Sequence, residues 1–296
     1  MDNNLWIIGC GDIGCRVASL YLSVSPHQQA GGMIHAVVSS EESKARCEGL
    51  GLEAHAINLD DNNVSKLIFT LSNKMANAKL FYFAPPPSIG REDTRFKNFL
   101  SSLNSLPKRI VLISTTGVYG DSQGEWIDED FAVNPKADRA HRRLSAEKAL
   151  QQWAEQYSRE YIILRVPGIY AKNRLPLARL KKGLPVVNGD EAGWTNRIHA
   201  DDLATICQQA MASDINGEIY NVTDGNPSTM TEYFNQVADY AGLAHPPQIS
   251  MQEAEATMSV GMVSYLRESR RISNQKMLRE LDVALLYPYL QLGLKK

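Results

Sequence analysis

The sequence predicts an α/β fold built on a doubly wound parallel sheet, and three observations predict it. Short apolar runs recur along the chain, helical patterns separate them, and a glycine-rich turn joins the first run to the first helix. The runs are Leu5 to Gly9, Met33 to Val38, Ala54 to Ile57, Leu80 to Ala84, Ile110 to Ser114, Tyr161 to Val166 and Ile219 to Val222. Unbroken rather than alternating apolar runs belong to strands covered on both faces. Between them Ile13, Val17, Leu20, Tyr21 and Val24 return at helical spacing, and Ala146, Leu150, Trp153, Ala154 and Tyr157 repeat the pattern. Strand and helix in alternation give a parallel sheet with helices on both faces.

Past about residue 170 the alternation fades into turn-forming segments, ArgLeuPro, LysGlyLeuPro and Asn188 to Trp194. A smaller α/β lobe is expected from 171–195 and 225–296, with 1–170 and the returning 196–224 forming the larger domain. Within that lobe a helix is expected near Thr229 to Ala241. Thr229 and Glu232 are spaced as a capping box, and Gly242 stands as the stop.

The 296 residues carry a net charge of −2, so no global basic field exists to hold nucleic acid or an anionic membrane surface. Small molecules, or protein, are the expected partners. The four cysteines, Cys10, Cys15, Cys47 and Cys207, form no CxxC pair and show no metal-ligand spacing, so they read as reduced thiols with no metal site. The N-terminus lacks a basic leader, and no stretch approaches the roughly 18 to 20 apolar residues of a membrane span. A cytoplasmic protein is expected.

Gly9-Cys-Gly11-Asp-Ile-Gly14 follows the first strand and opens the first helix. In that setting Gly9 permits the tight turn, Gly11 lets the backbone approach a pyrophosphate, and Gly14 lets helix and strand pack closely. The helix N-terminus adds N–H donors and a positive dipole end. A Rossmann-type dinucleotide domain is therefore expected. The second strand ends Val37-Val38-Ser39-Ser40, with no acid for a ribose 2′-hydroxyl. Ser39 and Ser40, with Lys44 or Arg46 nearby, tilt the reading of NAD(P) toward NADP. Equally, Ser39 is simply the N-cap of a helix whose first turn holds Glu41 and Glu42.

Beyond the loop, FAPPP at 83–87, ISTTGVYG at 113–120, WIDED at 126–130, LRVPGIY at 164–170, NRIHADDLA at 196–204 and YNVTDGNP at 220–227 stand in a specific order. Together the chain resembles the extended short-chain dehydrogenase/reductase family, the NAD-dependent epimerase/dehydratase group, in an atypical form. The resemblance implies that Asp12, Ile13, Ala84, Pro85, Pro86 and Pro167 line the cofactor. It also puts Asn58 and Leu59, where relatives have Asp-Leu, beside the adenine. It makes Thr115 the hydroxyl that orients the reacting oxygen. Thr116 stands where dehydratases carry an acid, which disfavours that chemistry.

One departure matters. The family's Tyr-x-x-x-Lys pair falls on Arg139 and Arg143 when the helix is aligned on Leu144-x-Ala146-Glu147. Arg143 can still donate to ribose hydroxyls, but a guanidinium does not deprotonate, so Arg139 cannot relay a proton. Tyr119 and His199 are the remaining acid–base candidates, with His141 a third, each also explicable as structural. Arg139, Arg174 and Arg197, beside Thr116, suggest a small anionic substrate such as a nucleotide-sugar. However, the arginine many epimerases place earlier falls on Thr195.

Two readings follow. One is an NAD(P)-dependent oxidoreductase or epimerase-like enzyme acting on a hydroxyl or keto carbon. The other is an NAD(P)-binding redox sensor without chemistry. A methyltransferase is disfavoured by Ser39 and by the VYG and LRVPGIY segments. The apolar stripe from Ala146 to Tyr157 suits either a homodimer contact or the core.

Overall fold

A computed structural model of the chain describes residues 4–23, 32–61 and 63–295; Val24 of the first helical pattern lies outside them. The central element is a seven-stranded parallel sheet. In chain order its strands are β1 (Leu5–Ile8), β2 (Ile34–Val38), β3 (Glu53–Ala56), β4 (Lys79–Tyr82), β5 (Arg109–Thr115), Glu160–Val166 and Glu218–Asn221. In space they run Glu218–Asn221, Glu160–Val166, β5, β4, β1, β2, β3. All seven apolar runs of the sequence thus became strands of one sheet. The order reverses at β1, where chain leaves one side of the sheet and later returns on the other, opening a crevice at the carboxyl ends of β1 and β4.

The chain divides into two compact units, the first comprising 1–115, 138–165 and 203–220, the second 116–137, 166–202 and 221–296. In the first unit, helices α1 (Asp12–Ser23), α2 (Glu41–Gly49), α3 (Val64–Ser72), α4 (Thr94–Ser101) and α5 (Asp138–Tyr157) accompany the sheet. The α5 stripe faces the core: Ala146, Leu150, Trp153 and Ala154 pack with Tyr82, Phe96, Phe99 and Leu112. Burying each large apolar side chain there contributes about 1.5–3 kcal/mol. Tyr157, at the end of the stripe, is exposed.

Two local features position the sheet edge. The cap of α2 is Ser40, not Ser39: its hydroxyl accepts from Ser43 N at 3.2 Å while its backbone is extended. Ser39 is therefore left at the strand end rather than folded into the helix. Below β5, Ser114 Oγ donates to Glu147 Oε1 at 2.5 Å, and Glu147 receives the Arg165 guanidinium at 2.8 and 3.2 Å. Glu147 and Arg165 are both buried, and the fork of two hydrogen bonds offsets the cost of dehydrating them.

The second unit is built from short two-stranded ladders, among them Gly168–Tyr170 with Arg197–His199 and Trp194–Thr195 with Ser228–Thr229. Helix Met230–Ala241 carries the expected capping box, Thr229 and Glu232 bonding reciprocally, and ends on Gly242 in the left-handed region. Its inner face, Tyr233, Phe234 and Val237, packs with Tyr170, Val186 and Leu294. Among the described residues no helix is long and apolar enough to cross a membrane.

Candidate functional site

The glycine loop divides its labour among the three glycines. Gly9 holds φ +85° and donates its N–H to Val37 O at 2.8 Å; a Cβ there would lie 2.4 Å from Ala84 N. Gly14 sits under the first turn of α1, where a Cβ would come 3.1 Å from Ile7 Cγ2 and 3.2 Å from Cys10 Sγ. Gly11 differs from both: nothing lies within 4 Å of its missing Cβ. Two glycines are thus required by the protein's own packing, and the third presents bare backbone to open space. The same helix end that Gly11 precedes carries Asp12, which pairs with Arg16 at 3.2 Å, and Ile13, which is buried.

From this loop a groove of about 300 Å³ runs along the carboxyl ends of β1 to β4. Gly9, Val38, Ser39, Asn58, Leu59, Ala84 and Pro85 line it. Six of the residues expected to hold a cofactor, Gly9, Ser39, Asn58, Leu59, Ala84 and Pro85, come from four separate segments, and the sheet edge brings them together. Asn58 uses its side-chain oxygen to accept from Asp60 N at 3.1 Å. Asp60 then pairs with Arg95, whose Nε donates at 2.8 Å and whose Nη1 donates to Pro85 O at 2.5 Å. Arg95 and Asp60 had no sequence signature, because the pair joins a loop after β3 to a helix 35 residues on. Pro86 follows, half-buried.

The basic groups near Ser39 are committed elsewhere. Lys44 lies 3.5 Å from Glu41, and the Arg46 side chain is beside Cys15. Ser40 is the helix cap. Ser39 remains the exposed hydroxyl at the end of β2, with no carboxylate in its place.

Thr115 is the last residue of β5, half-buried, on the same sheet edge as Gly9 and Ala84. Arg143 reaches that edge from α5, its Nη1 donating to Ala84 O at 3.3 Å; burial lowers its pKa, with Asp93 and Tyr82 opposing. Arg139 lies one turn earlier on the same helix and is exposed. Asp93, fully buried, caps α4 through Phe96 N at 3.0 Å and has its carboxyl pushed up by burial. Its Oδ2 and the Tyr82 hydroxyl are buried without a hydrogen-bond partner. His141 contacts Arg91 at the surface.

In the second unit Thr116 is buried at the start of the turn Thr116–Tyr119. Tyr119 is 0% exposed, and its hydroxyl donates to Asn221 Oδ1 at 2.8 Å. Asn221 N in turn donates to Glu129 Oε1 at 2.7 Å. His199 lies between Tyr287, 3.8 Å between ring centroids, and Tyr170 at 5.1 Å; its Nδ1 accepts from Asp201 N. Pro167 is half-buried before the strand Gly168–Tyr170. Arg197 is buried with its guanidinium 4.0 Å over the Tyr233 ring and donates to Ser228 Oγ at 2.8 Å. Burial lowers its pKa. Arg174 is instead exposed on a separate apolar groove of about 230 Å³, shared with Arg179, Tyr233 and Met262. Arg197 thus lies against Tyr233, which also lines the groove of Arg174.

Residues 97–223 match the model of the NAD dependent epimerase/dehydratase family. Over that span the chain is similar to this family. Protein YeeZ of Escherichia coli K12 is 28% identical over 141 residues, 47% of this chain and 48% of YeeZ. The chain thus spans about half the length of the curated relatives it matches. Among solved structures, a conserved protein of unknown function from Silicibacter pomeroyi has a TM-score of 0.79 at 23% identity, covering 99% of this chain and 97% of that one. The dTDP-glucose 4,6-dehydratase DesIV of Streptomyces venezuelae, solved with NAD bound, also has a TM-score of 0.79, at 17% identity over 98% and 94%. These two likenesses establish the fold.

The epimerase/dehydratase span begins after the glycine loop and the groove, so the loop's geometry is independent of that match. What the sequence missed in the site is long-range: the Asp60–Arg95 pair, buried Asp93 and Tyr82, and the meeting of three cysteines behind the loop. A spacing rule reads ligands that are close in sequence, and Cys47 lies far from Cys10 and Cys15.

Proposed function

We propose that the chain binds NAD(P) at the sheet edge and acts as an oxidoreductase or epimerase-like enzyme on a hydroxyl or keto carbon. The observation that carries this reading is Gly11, whose backbone faces open space between two glycines that packing requires. The groove residues fit the cofactor: Gly9 and Gly11 with the N-terminus of α1 suit the pyrophosphate, Ala84 to Pro86 the adjoining ribose, and Asn58 with Leu59 the adenine. DesIV, of the same fold, was solved with NAD. Ser39 in place of an acid supports NADP over NAD. Arg143 is placed to donate to a ribose hydroxyl.

The nicotinamide, when bound, supplies or accepts a hydride. Thr115 orients the substrate oxygen through its hydroxyl. By itself, the second-unit groove that Arg174 and Arg179 line suits an anionic group such as a phosphate.

The second reading, a dinucleotide-binding protein without chemistry, is favoured by a specific observation. Tyr119 and His199, which would have to replace the missing tyrosine, are both buried and hydrogen-bonded within the second unit. Calorimetric titration with NAD, NADP and S-adenosylmethionine tests the binding: NADP is expected to bind best, and failure of both dinucleotides defeats both readings. Reduced-nicotinamide absorbance over a panel of nucleotide-sugars and keto compounds separates them. Turnover abolished in Thr115→Ala supports the enzyme, and turnover unchanged in Tyr119→Phe removes Tyr119 as the proton carrier.

A further inference from the structure

Three of the four cysteines meet at one point. Cys10 lies between the first two glycines of the loop, Cys15 in the first turn of α1 and Cys47 near the end of α2. Their sulfur atoms all lie within 4.8 Å of one another, and none is in a disulfide. Cys10 and Cys47 are 0% exposed, while Cys15 is half-buried and opens the cluster to solvent. The thiols of Cys15 and Cys47 both aim at the carbonyl of Cys10, each 3.8 Å from it. Sulfur is a weak donor, so these contacts add little, and apolar side chains of the same size would fill the space as well.

We propose that Cys10, Cys15 and Cys47 form a three-thiolate site for a single thiophilic metal ion of the zinc and cadmium class. Zinc–sulfur bonds of about 2.3 Å put the sulfurs of a tetrahedral site about 3.8 Å apart, so each sulfur moves inward by only about half an ångström. The fourth position falls on the side of Cys15, where water enters. Arg46, whose side chain is beside Cys15, offsets the surplus negative charge of three thiolates around a divalent ion. The ion would tie the loop, α1 and α2 together from behind, away from the groove. A second cluster, His35, Glu53 and His55, is a weaker candidate, because Lys74 Nζ already lies 2.9 Å from the Glu53 carboxylate.

The test uses the full chain, reduced and freed of metal, titrated with Cd²⁺ while sulfur-to-cadmium charge transfer is followed in the ultraviolet. Zn²⁺ is then added in competition, and thermal unfolding is recorded with and without Zn²⁺. One Cd²⁺ per chain is expected, with band intensity for three thiolates, displacement by Zn²⁺ and a rise in melting temperature with Zn²⁺. Cys15→Ser, at the half-buried position, and Cys47→Ser should each weaken binding at least tenfold and remove the Zn²⁺ stabilisation. Cys207→Ser, in a separate helix, should leave the Cd²⁺ affinity and the Zn²⁺-dependent rise in melting temperature unchanged. Undiminished affinity and three-thiolate intensity in Cys15→Ser, a band that needs Cys207, or no stoichiometric binding overturns the proposal. If Cys47→Ser does not fold, Cys15→Ser decides alone. No dinucleotide enters the measurement, so its outcome is independent of the proposed function.

Discussion

Gly11→Ala separates what the fold needs from what a ligand needs. At Gly11 the backbone is not left-handed and a Cβ meets nothing within 4 Å. The substitution should therefore leave the fold intact and even raise stability by about 0.4–1 kcal/mol, because alanine has less unfolded-state freedom to lose. Gly9→Ala is the counterpart. Its Cβ would lie 2.4 and 2.6 Å from Ala84 N and Cα and 2.9 Å from Phe83 C, at φ +85°. Those are backbone atoms, held by N–H bonds from Phe83 and Ala84 to Ile8 O at 2.8 and 3.1 Å, so they yield only if β1 and β4 part. Left-handed strain of about 1–2 kcal/mol joins an overpacking cost of about 1–3 kcal/mol. At roughly 2–4 °C per kcal/mol, melting should fall on the order of 10 °C for Gly9→Ala and stay level or rise slightly for Gly11→Ala. The same Gly11 methyl, however, occupies the space into which a pyrophosphate must come. Its NADP affinity should fall at least tenfold, about 1.4 kcal/mol, by calorimetry. Wild-type affinity in Gly11→Ala, with its fold intact, would refute the close backbone approach and with it the placement of the pyrophosphate.

Three further outcomes are expected. Arg165→Met leaves the Glu147 carboxylate buried and half-satisfied, costing about 3–5 kcal/mol in denaturant unfolding, and the double variant with Glu147→Leu should recover much of it. Gly293→Ala drives a methyl to 2.6 Å from the Tyr170 ring and 3.0 Å from His199, so a loss of about 1–3 kcal/mol is expected; an unchanged melting temperature would mean the helix Leu290–Lys295 packs elsewhere. Burial raises the Asp224 carboxyl to about 7, against the N–H of Asn226, so the folded chain holds a proton that the unfolded chain releases near pH 4. Stability is therefore fully present below about pH 4 for this group and falls as pH rises to about 7, by up to about 4 kcal/mol. Asp202 and Glu129, raised by burial in the same direction, add to the slope. Asp224→Asn should flatten the pH dependence of urea unfolding, and a slope equal to wild type would show that this carboxyl is ionised in the folded chain.

Short-range pattern carried far in this protein. Seven apolar runs, each readable within five or six residues, became the seven strands, because burial on both faces of a parallel sheet leaves no room for polar alternation. The Thr229–Glu232 box and Gly242 ended a helix where expected, since capping involves backbone groups three or four residues away. Capping also shows the limit: Ser39 and Ser40 are equally good caps by composition, and the extended backbone at Ser40 made the choice.

By itself, then, the sequence determined the parallel sheet, the glycine turn and the absence of a Tyr-x-x-x-Lys pair, all of which rest on local spacing. Only the tertiary structure decided that Tyr119 bonds Asn221, 102 residues on, that Asp60 closes on Arg95, and that Cys47 joins Cys10 and Cys15. It also decided that Gly11 alone of the three loop glycines faces open space. The physical reason is one of range. Periodicity and turn chemistry act over a few residues, whereas the environment of a buried hydroxyl, carboxylate or thiol is made by segments that meet only once the sheet has closed.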